Sequence, residues 1–282
     1  MSKEANPWEI PEWHAIRREA SLIRHLIGSG VTALGHANYA DKAGEYYTAF
    51  FGLSVGLERL NKLSLVADYA ISNKGQMPDQ KIICRFRHKL ADLTNEVEKI
   101  SQKHSLKLKY ARPTNEVGVK IIDCLDAFAD ARRGRYANFA ALGDPNLGRE
   151  EPIRKWWSEV AELILKKHYY GKQVQAEVEA RAKIIDTLTS PFTMVLHTNE
   201  TGDAMHDVLS SSVRTGQTDV VQKYGRYYTL MVVRWLAEIY SALSKTACYS
   251  HNIDAFLGTW EYFETYMVDD EFMKTRRIWP LH

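Results

Sequence analysis

Phe50-Phe51-Gly52-Leu53-Ser54-Val55-Gly56-Leu57-Glu58-Arg59-Leu60-Asn61-Lys62-Leu63-Ser64-Leu65-Val66-Ala67-Asp68-Tyr69-Ala70-Ile71 decides the fold class. Phe50, Leu53, Leu57, Leu60, Ser64, Ala67 and Ile71 recur at alternating spacings of three and four residues. On an α-helix that spacing keeps them on one face, whereas on a strand it would scatter them over both. A long amphipathic helix follows. It stops at Asn73-Lys74-Gly75-Gln76-Met77-Pro78, because Gly closes a helix and Pro cannot continue one.

The same period extends outward. Upstream, Glu12 to Leu34 places Ile16, Ile23, Leu26 and Ile27 on one side, and the run of Gly28, Gly30 and Gly35 is expected to loosen or end that helix. Downstream, a third helix is expected from about Lys81 to His104, carrying Ile83, Phe86, Leu90, Leu93, Val97 and Ile100. Arg112-Pro113-Thr114 breaks it, and Thr114 is read as the N-cap of a fourth helix with Val117, Ile121, Leu125 and Phe128 inward and Asp123, Asp126 and Asp130 out or sideways. Leu142-Gly143-Asp144-Pro145-Asn146-Leu147-Gly148 is rich in turn formers and marks the main boundary.

Beyond it, Glu151 to Leu188 reads as one long or two stacked helices with Trp156, Val160, Leu163, Ile164, Val174, Val178 and Ile185 as apolar positions. Ser190-Pro191 ends that unit. Further helices are expected near Asp203 to Val213, Thr218 to Ala247, Asn252 to Tyr266 and Asp269 to Ile278. No alternating strand of useful length and no fixed-period repeat is present. The fold class is all-α: an arm over 1–11, a helical bundle over 12–145 and a second helical region over 146–282, either as one core or as two domains.

Composition narrows the function. Thirty-seven basic against 35 acidic residues leave a net charge of +2, so no global field holds nucleic acid or an anionic membrane. Any such contact must come from a local patch. Cys84, Cys124 and Cys248 are far apart and unpaired in pattern, which points to a reducing compartment and to thiols buried as small hydrophobes. The N-terminus lacks the apolar stretch of a signal peptide, and Tyr227 to Leu243 is too short and, with Arg234 and Glu238, too charged to span a bilayer. A cytoplasmic location with no membrane partner is the expectation.

P-loop, Gly-x-Ser-x-Gly and His-Glu-x-x-His patterns are absent, and Gly28-Ser29-Gly30 follows a helix where a dinucleotide fingerprint needs a strand. The histidines are scattered, His197 and His206 being the nearest approach to a pair, so neither a metal nor a cofactor is expected.

One set of residues carries more. The Phe50 to Leu63 segment, then Arg87-His88-Lys89-Leu90, then Ala131-Arg132-Arg133-Gly134-Arg135-Tyr136-Ala137-Asn138-Phe139, resembles in that order the HEPN superfamily of prokaryotic helical proteins. The resemblance covers roughly residues 12–145. It implies a bundle of about four helices, dimerisation through that bundle, and metal-independent ribonuclease or RNA-binding activity in a toxin–antitoxin or anti-phage system. Active members carry an Arg followed a few residues later by His on the last helix of the bundle. Here that place offers Arg132, Arg133, Arg135 and Asn138, and Asn cannot exchange a proton near neutral pH.

The residues assign roles on that plan. Arg135 and Asn138 are the catalytic candidates that hold phosphate or ribose, with His88 the local candidate for proton transfer. Arg132, Arg133 and Tyr136 are candidates for RNA contact, since guanidinium forks match phosphates and aromatic rings stack on bases. The plain structural readings stand beside these: His88 as a semi-buried residue at a helix start, Glu58 with Lys62 as an ion pair, and the Arg cluster as a basic helix end. Lys166-Lys167-His168, Arg226 with Tyr227 and Tyr228, and Arg276-Arg277 add cations to the second half, but no run dense enough to name a groove. Partners to expect are RNA or a nucleotide, a protein of a defence system, and a second copy or other subunit. A catalytically inactive adaptor or sensor that binds a partner protein or nucleotide is the alternative function.

Overall fold

A computed structural model of the chain describes residues 6–86, 88–129 and 151–281. Among them are ten α-helices and one two-stranded ribbon. The periodic stretch lies on α2 (Ala43–Ser72), where Phe50, Leu53, Leu57, Leu60, Ser64 and Ala67 are buried and Ile71 is half-buried. α1 (Pro11–Leu34) packs antiparallel along it. Gly28 and Gly30 do not end α1; the helix runs through both, and Gly35 closes it. Their use is close approach: a Cβ on Gly52 would lie 2.6 Å from the Leu26 carbonyl oxygen, and one on Gly30 2.9 Å from Leu53 Cγ.

The expected third helix is two. α3 (Gln80–Arg85) starts at Asp79, whose side chain accepts from Ile82 N at 2.9 Å, and α4 (Leu90–Lys103) begins anew after a turn. The restart is supported from outside, because Asp126 Oδ1 accepts from Leu90 N at 2.6 Å and so satisfies one of the N–H groups a helix start leaves open. Asp126 belongs to α5 (Glu116–Ala129). That helix is capped by Asn115, whose Oδ1 accepts from Gly118 N at 2.9 Å, and not by Thr114.

In the second half α6 (Pro152–Trp156), a π-helical turn (Trp157–Ala161) and α7 (Glu162–His168) form one rod, and α8 (Gln173–Thr189) a second. α8 lies at the surface, with only Ala182 buried, and Ile185 is exposed instead of inward. β1 (His197–Thr198) and β2 (Ala204–Met205) pair antiparallel. α9 (Val208–Lys245) then runs for 38 residues as one helix where two were expected. Short 3-10 segments, Asp254–Phe256 and Thr259–Tyr266, replace the helix expected over 252–266, and α10 covers only Asp270–Thr275.

α9 packs on α1, α2, α4 and α5 as well as on α7, α8 and α10, and buried residues of both halves join in a single hydrophobic cluster. The boundary read at 142–148 lies outside the described residues. Trp156, Trp157, Trp235 and Trp260 are buried; Cys124 and Cys248 are buried as expected, but Cys84 is exposed. Among the described residues no helix is long and apolar enough to cross a membrane.

Candidate functional site

Glu58 projects from the middle of α2, a helix held on both sides by fully buried Leu57 and Leu60, so its position is set by the core. His88 sits in the turn between α3 and α4, the turn that the Asp126 bond to Leu90 fixes. The two meet: His88 Nδ1 is 2.8 Å from Glu58 Oε1. Lys62, one helical turn along α2, donates to the same oxygen at 2.7 Å, and its Nζ lies 3.2 Å from His88 Nδ1.

An ionised carboxylate only accepts and an ammonium only donates, so the tautomer with the proton on Nδ1 suits Glu58 and leaves Nε2 as an acceptor, whereas the other tautomer suits Lys62. The imidazole side chain is 83% exposed while Glu58 and Lys62 are about one-fifth exposed, 20% and 19%. A half-buried acid thus orients a solvent-facing base, and the adjacent ammonium adds positive charge. The semi-buried His88 of the sequence reading is corrected to an exposed one, because the turn between α3 and α4 carries it out of the bundle. The expected Glu58–Lys62 ion pair is present, with a third member that spacing along the chain did not reveal.

α5 ends at Ala129, and one turn before that end Asp126 reaches the residue two positions after His88. Arg132, Arg133, Arg135, Tyr136 and Asn138 lie outside the described residues.

Other groups suited to chemistry are occupied or silenced. Burial pushes the Cys124 thiol up to about 12, with Glu159 adding to the effect, so the side chain stays a neutral thiol. Glu159 accepts from Lys155 at 2.6 Å and from Lys120 at 3.2 Å, an ion-paired staple between α5 and the following rod. His104 is held on Asp68 at 2.6 Å and is largely covered. Arg18 and His25 are both exposed on α1. Among the described residues no three His, Cys, Asp or Glu side chains group so as to hold a metal ion. No family model, no curated protein and no solved structure matches the chain.

Proposed function

We propose that the chain is an RNA-binding protein on the HEPN-like plan that its N-terminal residues resemble, acting as a metal-independent ribonuclease in a bacterial defence or toxin–antitoxin system. The observation that carries this reading is the Glu58–His88 pair, a carboxylate-oriented imidazole with its second nitrogen open to solvent. In such a reaction neutral His88 Nε2 takes the proton of a ribose 2′-hydroxyl as that oxygen attacks the adjacent phosphorus. The P–O5′ bond breaks, and the products are a 2′,3′-cyclic phosphate and, once the leaving oxygen gains a proton from water, a 5′-hydroxyl. Glu58 stabilises the imidazolium that forms, and Arg132, Arg133 and Arg135 hold the phosphate charge.

The second reading is a non-catalytic adaptor or sensor that engages a partner protein or nucleotide. It is favoured by Asn138 standing in the region where the resemblance implies the His of the Arg…His pattern.

Mixed RNA incubated with the purified chain in EDTA tests both. On the first reading the RNA is cut to cyclic-phosphate ends, and His88→Ala lowers the rate about 100-fold or more with RNA binding retained. Arg135→Ala weakens both. Cleavage that survives His88→Ala sinks the assignment of that residue; Arg135-dependent binding without cleavage moves the chain to the second reading.

A further inference from the structure

Two arginines of α9 are almost fully buried, and the fold treats them differently. Arg234 is ion-paired: Nη2 donates to Asp270 Oδ1 at 2.8 Å, Nη1 donates to the Val268 carbonyl at 2.7 Å, and the guanidinium lies 4.0 Å from the centre of the Tyr110 ring, although its Nε, like that of Arg226, is buried without a partner among the described residues. Arg226, two turns earlier and 3% exposed, has a single hydrogen bond among the described residues, from Nη2 to the Lys274 carbonyl at 3.2 Å. Its Nε is buried without a partner, and among the described residues no carboxylate pairs with it. The carboxyl end of α1 offers partial negative charge nearby, since a Cβ on Gly35 would fall 2.3 Å from Arg226 Nη1. That is about half an elementary charge, not a counter-ion.

A buried cation left in this condition calls for an anion that the chain itself does not supply. Arg226 lines a cleft of about 850 Å³ formed by α8, α9 and the segment around α10. Arg181, Lys223 and Arg277 line it too, all exposed and none ion-paired among the described residues. Lys274 is shared with Glu271, and the one acid facing the cleft is Asp219. The field of these cations is already felt inside: burial, with Lys167, Lys223, Lys274 and Lys172 adding to it, holds the His168 imidazole down at about 4. Val174, Val178 and Val220 give the cleft an apolar wall as well.

We propose that this cleft binds a small ligand with clustered phosphate charge, of nucleotide size, whose phosphates neutralise Arg226 with Arg181, Lys223 and Arg277 around them. The volume falls within the roughly 300–1,000 Å³ of small-molecule sites. An almost covered guanidinium is reached by a terminal phosphate and not by the continuous backbone of a polymer. The apolar wall suits the organic part of such a molecule. The site lies in the second half and stands independently of the reading of Glu58 and His88.

The test is thermal unfolding and calorimetric titration of the full chain with inorganic pyrophosphate and ADP at fixed ionic strength, with adenosine as the phosphate-free control. Pyrophosphate and ADP are expected to raise Tm saturably, and adenosine is not. Arg277→Glu and Arg181→Glu, at exposed positions, are expected to raise Kd about tenfold or more, whereas Lys107→Glu, exposed and outside the cleft, leaves it unchanged. Arg226→Met is expected to stay folded and lose the pyrophosphate response, because an apolar side chain replaces an uncompensated charge. No saturable response to either phosphate compound overturns the proposal, as does an equal loss in Lys107→Glu. Single-stranded RNA that displaces ADP and binds more tightly than it overturns it too, and makes the cleft a polymer site.

Discussion

At the scale of single residues, the most exacting arrangement surrounds Glu200, whose side chain is 1% exposed. A carboxylate so covered needs its counter-charge inside the protein. Arg214 supplies it at 2.7 Å, and its guanidinium lies 3.7 Å from the centre of the Trp157 ring. The Tyr46 hydroxyl donates to Glu200 at 3.3 Å and accepts from Trp157 Nε1 at 2.9 Å. Burial, and then the Glu200 charge, push that phenol well above its usual range, so it stays a donor at any working pH. Glu200→Gln leaves Arg214 covered and unneutralised and is expected to cost about 3–5 kcal/mol in urea unfolding, whereas adding Arg214→Met costs less than the sum of the two changes. None of this was legible in the sequence, since Glu200 sits in a turn with no periodic context and meets Tyr46 of α2 and Arg214 and Thr218 of α9. The Glu58–Lys62 pair was legible because a spacing of four on a helix is local. His88, thirty residues from Glu58, met it only through the fold.

At the scale of elements, the periodicity of α2 was readable because six buried positions obey one rule over about five turns. The breaks were harder. α3 and α4 read as one helix because the residue that permits the second start, Asp126, comes from α5, where it was assigned to an outward or sideways face. Glycine misled in the opposite direction: Gly28 and Gly30 look like helix breakers, yet α1 keeps Gly30 to admit α2 and Gly28 to admit the backbone at Pro280. Gly52→Ala tests that reading. The added methyl would press on the Leu26 carbonyl, a backbone atom that cannot rotate away. A loss of about 1–3 kcal/mol is expected in denaturant unfolding. A solvent-facing control, Gly44→Ala, meets nothing within 4 Å and is expected to be neutral or mildly stabilising.

At the scale of the whole molecule, the all-α class was visible from composition and period, while the joining of both halves through α9 was not. Separate helices were expected near Asp203 to Val213 and Thr218 to Ala247; instead α9 runs straight through 214–217 and packs on elements of both halves. The cationic cleft was equally hidden, because Arg181, Arg226 and Arg277 are scattered along the second half and only the packing of α8, α9 and the segment around α10 brings them together. Its field predicts how stability follows pH. His168 stacks on Tyr224 with ring centres 3.6 Å apart and lies 2.9 Å from the Tyr228 hydroxyl, while burial and the surrounding lysines hold its folded value at about 4 against the ordinary 6.5. Above pH 6.5 the ring is neutral folded and unfolded alike, so nothing is lost. Between pH 6.5 and 4 the unfolded chain takes up a proton that the folded one refuses, and stability falls as pH falls. His168→Gln is expected to flatten the Tm-against-pH curve in that window, a difference read by calorimetry at paired pH values.

The 38-residue rod also sets a timetable. α1 to α5 are synthesised by residue 129, but the helix that covers their apolar sides ends only at Lys245. At ordinary translation rates of about 5–20 residues per second, the nascent chain spends roughly 6–20 s with those sides uncovered. Over that interval those apolar sides are open to association with other unfinished chains.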